Sequence, residues 1–188
     1  MPVHRQVRGR WGNRRLRQWL KAWQEDREQR AAARAGARAY APLRPGERLL
    51  AVACSAGGGL LAATDWALYH QAGQAWARLG WEQLGRADWD EQRHVLVLTG
   101  LTRAVAARTV LRLAKDWGLP AVAAERVRWA KVVDQRISLN GGAGARVVAR
   151  RLPSDARVTW LVIPDPASIP KTPWSGPGWS PRSRGCGR

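Results

Sequence analysis

From Glu47 onward, apolar residues recur in short runs with turn signals between them. ERLLAVAC (47–54), GLLAAT (59–64), WALYHQ (66–71), ARLGWE (77–82), GRADWD (85–90), HVLVLT (94–99) and ARTVLRLA (107–114) each read as a strand. Strands at this regular, short spacing predict an antiparallel barrel or sandwich built from meanders. In GRADWD, Ala87 and Trp89 alternate with Arg86, Asp88 and Asp90, so one face of that strand is expected to be dry and the other wet. The period then changes. PAVAAERVRWAKVVDQRI opens on Pro120, which suits the first turn of a helix, with a stripe through Val122, Ala123, Arg126, Ala130, Val133 and Ile137. Its end is ambiguous, because KVVDQRISL also fits a strand beginning near Val132. NGGAG (140–144) turns into ARVVARRL (145–152), and RVTWLVIP (157–164) completes a hairpin or three-strand meander.

The first 46 residues follow another rule. Asn13 can cap a helix over 13–39, in which Leu16, Trp19, Leu20 and Trp23 recur at i, i+3, i+4 and i+7 as one apolar stripe. Arg14, Arg15, Arg17 and Lys21 cover its other sides. After Trp23 the stripe fades into QEDREQRAAARAGARA, which favours helix but has no large apolar side chain to bury; Pro42 and Pro45 then close a linker. From Pro164 the chain has neither period and is rich in Pro, Gly and Ser, so it is expected to be disordered. Three segments follow: a basic helical arm with its linker (1–46), a folded domain (47–163) and a Pro/Gly/Arg tail (164–188).

Charge is distributed along the same divisions. The arm holds twelve Lys and Arg against three Asp and Glu, residues 47–165 hold sixteen against eleven, and the remainder holds four against none. The formal +18 therefore sits largely outside the folded domain. Such a field attracts polyanions, whether nucleic acid or an anionic membrane surface. Four Lys face twenty-eight Arg and Phe is absent, a bias that a GC-rich coding region also produces.

Chemistry is sparse. Cys54 and Cys186 form no zinc or disulfide framework, and Cys54 reads as a small buried hydrophobe. Asp88 and Asp90, with Glu91 and His94 nearby, could share a metal; a solvated face balanced by Arg86 and Arg93 is the simpler expectation. His4, His70 and His94 are too dispersed for a triad, and NGGAGAR lacks the Lys-Ser/Thr of a phosphate-binding loop. No metal, cofactor or catalytic residue is expected. Trp66, Trp81, Trp89, Trp129 and Trp160 lie in periodic segments and are expected to pack in the core in place of the absent Phe. No run is long enough to span a membrane. RRLRQWLK (14–21) meets Glu25, Asp26 and Glu28 where an export signal would continue apolar, so a cytoplasmic location is expected, with the inner face of the membrane within reach of the helix.

GERLLAVA, GGLLAATDWALYH, RLGWEQLGRADWD and HVLVLT, in that order and spacing, resemble the bacterial PH-like (GRAM-like) domain pattern. In those domains a Thr-Asp corner, here Thr64-Asp65, joins strands two and three, and a stretch like Trp81–Ala87 carries the chain into strand five. Residues 47–163 are also similar to an uncharacterised PH-like family of high-GC Gram-positive bacteria, which shares the hairpin Val147–Arg151 and Val158–Val162. The resemblance implies an α+β, mostly β fold: a partly open seven-strand barrel with a capping helix, here carrying an extra C-terminal hairpin and the N-terminal basic helix. Asp65 would then hold the corner by bonding nearby backbone N–H groups. PH domains that bind phosphoinositides concentrate cations between strands one and two; here that loop is SAGGG (55–59), without any.

The function this supports is a non-enzymatic interaction module with a protein partner. Its candidate arm comprises Arg14, Arg15, Leu16, Arg17, Trp19, Leu20, Lys21 and Trp23, whose stripe could dock on the chain's own barrel or on a partner groove. The same aromatic-and-cation pattern suits an anionic membrane surface. Nucleic-acid binding by the Arg-rich arm is the alternative, resting on charge alone.

Overall fold

The computed structural model describes residues 10–101, 108–138, 144–155 and 157–165, with the side chains of 10–16 outside that description. His4, Cys186, residues 140–143 of the NGGAG turn and the expected tail from 166 on lie outside the described residues. Among the described residues, ten strands and two helices follow in the order α1 (Arg10–Tyr40), β1 (Leu49–Ser55), β2 (Leu60–Thr64), β3 (Ala67–Ala72), β4 (Ala75–Gly80), β5 (Leu84–Asp90), β6 (Val95–Gly100), β7 (Arg108–Lys115), α2 (Leu119–Ala130), β8 (Lys131–Ser138), β9 (Gly144–Arg151) and β10 (Val158–Pro164). The ambiguity at the end of α2 resolves at Lys131. Val133 and Ile137 belong to β8, and the helix faces the core through Leu119, Ala123, Val127 and Ala130.

β1–β7 form one antiparallel sheet in the order β4-β3-β2-β1-β7-β6-β5. The sheet does not close. β4 and β5 are its two edges, joined in sequence by a single 3-10 turn, Trp81–Gln83, and α2 lies against that turn, β5, β1 and β2. The main core fills the space so enclosed: Ala51, Ala53, Leu61, Leu68, Trp81, Leu84, Leu96, Leu98 and Leu113 meet the buried face of α2. A separate antiparallel sheet, β10-β9-β8, follows the helix.

β1 is dry on both faces, with Ala51, Val52 and Ala53 all buried. Its second cover is α1. Ala33 and Ala37 pack with Val52, Ala62, Ala67 and Tyr69 in a second core. The half of α1 without large apolar residues is thus the half that docks, because small side chains let the helix backbone come close. A Cβ added at Gly36 would sit 3.2 Å from Leu60 Cδ1, and Arg34 reaches across to donate to the Leu49 and Leu50 carbonyls (3.2 Å each). Asp26 closes the docked stretch by accepting from Trp117 Nε1 (3.1 Å) and Lys115 Nζ (3.2 Å), and these bonds hold its carboxyl below the ordinary value. Cys54 is only half-buried, at the margin of this second core.

The Thr-Asp corner divides its labour differently from the expectation. Thr64 Oγ1, fully buried, accepts from Trp66 N (3.1 Å) and Ala67 N (2.9 Å) and so holds the turn. Asp65 instead accepts from the backbone N (2.8 Å) and Nε (2.9 Å) of Arg48, while its own N–H donates to the Arg48 carbonyl (3.1 Å). A carboxylate one residue further along the corner points back at the entry to β1, so Asp65 staples the first strand rather than the turn.

In the smaller sheet, Arg146 grips Asp134 with two bonds of 2.7 Å across a diagonal of the β8–β9 ladder. Those bonds hold the Asp134 carboxyl below its ordinary value. A carboxylate whose folded pKa is depressed adds stability above its unfolded value, near 4, and that stability is lost as pH falls through the lower folded value. Asp134→Asn is therefore expected to flatten the decline of the urea midpoint below about pH 4, relative to the parent protein. Parallel decline in both proteins would show the pair contributes nothing.

Candidate functional site

α1 is anchored from Asp26 to Ala41, and the two turns before it stand clear of both cores. Trp19, Leu20 and Trp23 are 61%, 41% and 47% exposed. The i, i+4 spacing stacks the two indoles, with ring centroids 6.4 Å apart and planes 14° from parallel. The Arg27 guanidinium sits 4.7 Å from the Trp23 centroid on the next turn, continuing the column, and Lys21 pairs loosely with Glu25 (3.9 Å). Arg17 and Lys21 are exposed beside the stripe; Arg14, Arg15 and Leu16 belong to the same helix, and their side chains lie outside the described ones. Among the described residues the stripe does not dock on the sheet: Trp19, Leu20 and Trp23 stay exposed, and the docked face passes through Ala33 and Ala37 instead.

The other candidates resolve into structure. Arg86 Nε donates to Asp88 (2.6 Å), Arg93 binds Asp90 through its backbone N (3.1 Å) and Nη1 (3.2 Å), and the His94 ring packs edge-on against Trp89 (5.9 Å between centroids). Asp88 and Asp90 thus pair with Arg86 and Arg93, as the balanced-face expectation requires, and His94 makes a ring contact. Among the described residues, no group of three or more His, Cys, Asp and Glu could hold a metal ion. Burial holds the His70 imidazole below its ordinary value and pushes the Cys54 thiol up, so neither is primed as a charged reagent.

The β1–β2 loop opens on a depression lined by Ser55, Gly57, Gly58, Gly59, Gln71, Ala72 and Gly73, none of them cationic. Ser55 Oγ accepts from Gly59 N (2.9 Å). A Cβ at Gly59 would meet the Gln71 carbonyl at 2.8 Å, so the glycine there serves close approach of two backbones.

Three of the five tryptophans expected in the core are elsewhere: Trp66 is half-buried over Gly46 and belongs to neither core. Trp81 is fully buried and Trp89 is partly buried against the main core. Trp129 is exposed on the flank of α2 between Arg151 (4.8 Å) and Arg126 (5.7 Å), because the helix spends its inward face on Ala123, Val127 and Ala130. Trp160 lies on β10, whose outer face nothing covers among the described residues.

Two polar centres gave no sequence signal. Glu47, which reads only as the polar first residue of the strand ERLLAVAC, has a fully buried side chain. It accepts from Tyr69 OH (2.6 Å), Thr64 Oγ1 (3.0 Å) and Arg44 N (2.7 Å), with Arg78 Nη2 at 3.7 Å. Arg150 is buried too, donating from Nη1 to the Val127 carbonyl (3.3 Å) at the end of α2. Burial pulls its guanidinium below the ordinary value while Asp134 pushes the other way. Both read as solvated charges in a one-dimensional pattern.

Comparison with protein families, curated proteins and solved structures returns no match for this chain. No helix among the described residues is long and apolar enough to cross a membrane.

Proposed function

We propose that this protein is a non-enzymatic, PH-like interaction module whose N-terminal helix inserts Trp19, Leu20 and Trp23 into an apolar groove on a protein partner. The observation that carries the reading is the stacked, exposed Trp19–Trp23 pair on a helix whose following turns are anchored to the sheet. Two rigid aromatics on a preorganised helix lose little entropy on binding, which is the economy hot-spot anchors depend on. The PH-like assignment draws support from the open seven-strand sheet plugged by α2 and from Thr64-Asp65 between β2 and β3. The non-enzymatic part draws support from the engagement of Asp88, Asp90 and His94 in ion pairs and packing. The cations flanking the stripe suit an acidic rim on the partner, in the cytoplasm or at the inner face of the membrane.

The test is affinity purification from native cells with the parent chain and with the Trp19→Ala/Trp23→Ala variant. Recovery of the partner is expected to fall by about tenfold or more in the variant, the scale of losing one or two anchors. Equal recovery of the same proteins with both would reject the stripe as the contact. Sedimentation with anionic vesicles is the second arm: binding that the double substitution abolishes would put a lipid surface in place of the groove.

A further inference from the structure

We propose that β10 is a self-association edge, pairing antiparallel with β10 of a second copy to join the two three-stranded sheets into one of six. Among the described residues β10 is the outer strand of its sheet, bonded only to β9. The Leu152 N–H donates to the Arg157 carbonyl (2.7 Å) and the Asp165 N–H to the Gly144 carbonyl (2.9 Å), so odd-numbered residues turn their backbone groups toward β9. The ladder between them has no register shift. The free edge therefore carries the N–H and C=O of Val158, Trp160 and Val162.

The same three residues carry the exposed face, at 43%, 62% and 66%. Alternation dictates the coincidence: side chains of every second residue share a face as their backbone groups share an edge. VTWLVIP contains no charge, and natural edges are ordinarily blunted by Lys, Pro or a bulge. Pro164, which has no N–H to offer, stands just beyond the three free donors. The flanking charges are already neutralised, Arg157 by Asp155 and Asp165 by Arg136.

A second copy fits in one register. With Trp160 opposite Trp160 of the second copy, Val158 faces Val162 on both sides, and all three free donors and acceptors of each chain are satisfied. The two indoles meet across the two-fold axis on a face that half-buried Val147, opposite Val162 on β9, extends. Such an isologous contact closes at two copies. Its side-chain area is well short of the roughly 800 Å² per partner of a standard stable interface, so main-chain bonds carry much of the affinity, in the micromolar range. The formal charge of +18 per copy opposes association, and salt relieves that repulsion.

Sedimentation equilibrium of the full chain across about 1–300 μM is expected to show a monomer–dimer equilibrium that tightens with salt. Trp160→Lys is expected to weaken it by about tenfold or more. Val162→Pro, which removes the outward N–H without taking a donor from the β9 ladder, is expected to do the same with an unchanged far-UV circular dichroism spectrum. Hydrogen exchange at Val158, Trp160 and Val162 should slow as concentration rises. A chain monomeric throughout the range, dimers unaffected by both substitutions, or dimers lost instead on Trp19→Ala would overturn the proposal. So would protection of these three amides at a concentration where the chain sediments as a monomer, which would mean that the edge is occupied within one chain.

Discussion

Trp81→Ala is expected to cost about 3–5 kcal/mol of unfolding free energy, the range for truncating a fully buried tryptophan. Trp81 has no solvent exposure and sits where the sheet fails to close, between the ends of β4 and β5. Its ring belongs to the main core, and its Nε1–H donates to the Thr64 carbonyl (2.9 Å) at the corner between β2 and β3. Alanine there would leave a cavity at the gap between the edge strands β4 and β5, and would orphan a buried acceptor. Trp81→Phe refills part of the volume without the donor, so its loss is expected to be smaller, about 1–3 kcal/mol. Urea denaturation followed by far-UV circular dichroism measures both, since twelve tryptophans make fluorescence a poor local probe. A cost for alanine below about 1 kcal/mol would mean that Trp81 is not a keystone of the core.

The second large effect belongs to Glu47. Its carboxylate is the acceptor for Tyr69, Thr64 and the Arg44 backbone, and the counter-charge for Arg78. Glu47→Ala leaves these donors without their acceptor and Arg78 without its charge, a loss expected at about 3–5 kcal/mol by analogy with breaking a buried pair from one side. Burial and the bond to Glu47 raise the Tyr69 phenol above its ordinary value, so removing the carboxylate should also let that phenol titrate earlier. Glu47→Ala with Arg78→Ala is expected to cost less than the two single changes added together, because the second change removes a charge the first had stranded. Strict additivity in that cycle would show the two side chains to be uncoupled.

Much of the fold was legible before any coordinates. Strand runs β1 to β7 appear within a residue or two of their alternating segments, because a period of two with glycine and aspartate between runs has few other solutions. Pro120 marked the start of α2, and of the hairpin or three-strand meander expected after it, β8, β9 and β10 make the meander. The stripe Trp19, Leu20 and Trp23 was legible as one face of a helix, yet whether it would be covered was not. Apolar periodicity reports that a face wants burial and is silent on what it finds. The docking of α1 was hidden for the opposite reason: Ala33, Gly36 and Ala37 carry almost no hydrophobic signal, although their smallness is what admits the helix to the sheet.

Local patterning, then, determined the elements, their order and the place of the Thr64-Asp65 corner, since these depend on neighbours a few residues away; which of the two side chains holds the turn it did not. Only the tertiary structure decided which tryptophans are enclosed, that Glu47 and Arg150 are interior charges, and that VTWLVIP, apolar on both its faces, shows one of them to solvent along an unpaired edge. Those outcomes depend on which surfaces meet across long separations in the chain. A residue's own type and spacing carry no record of the partner that folding brings to it.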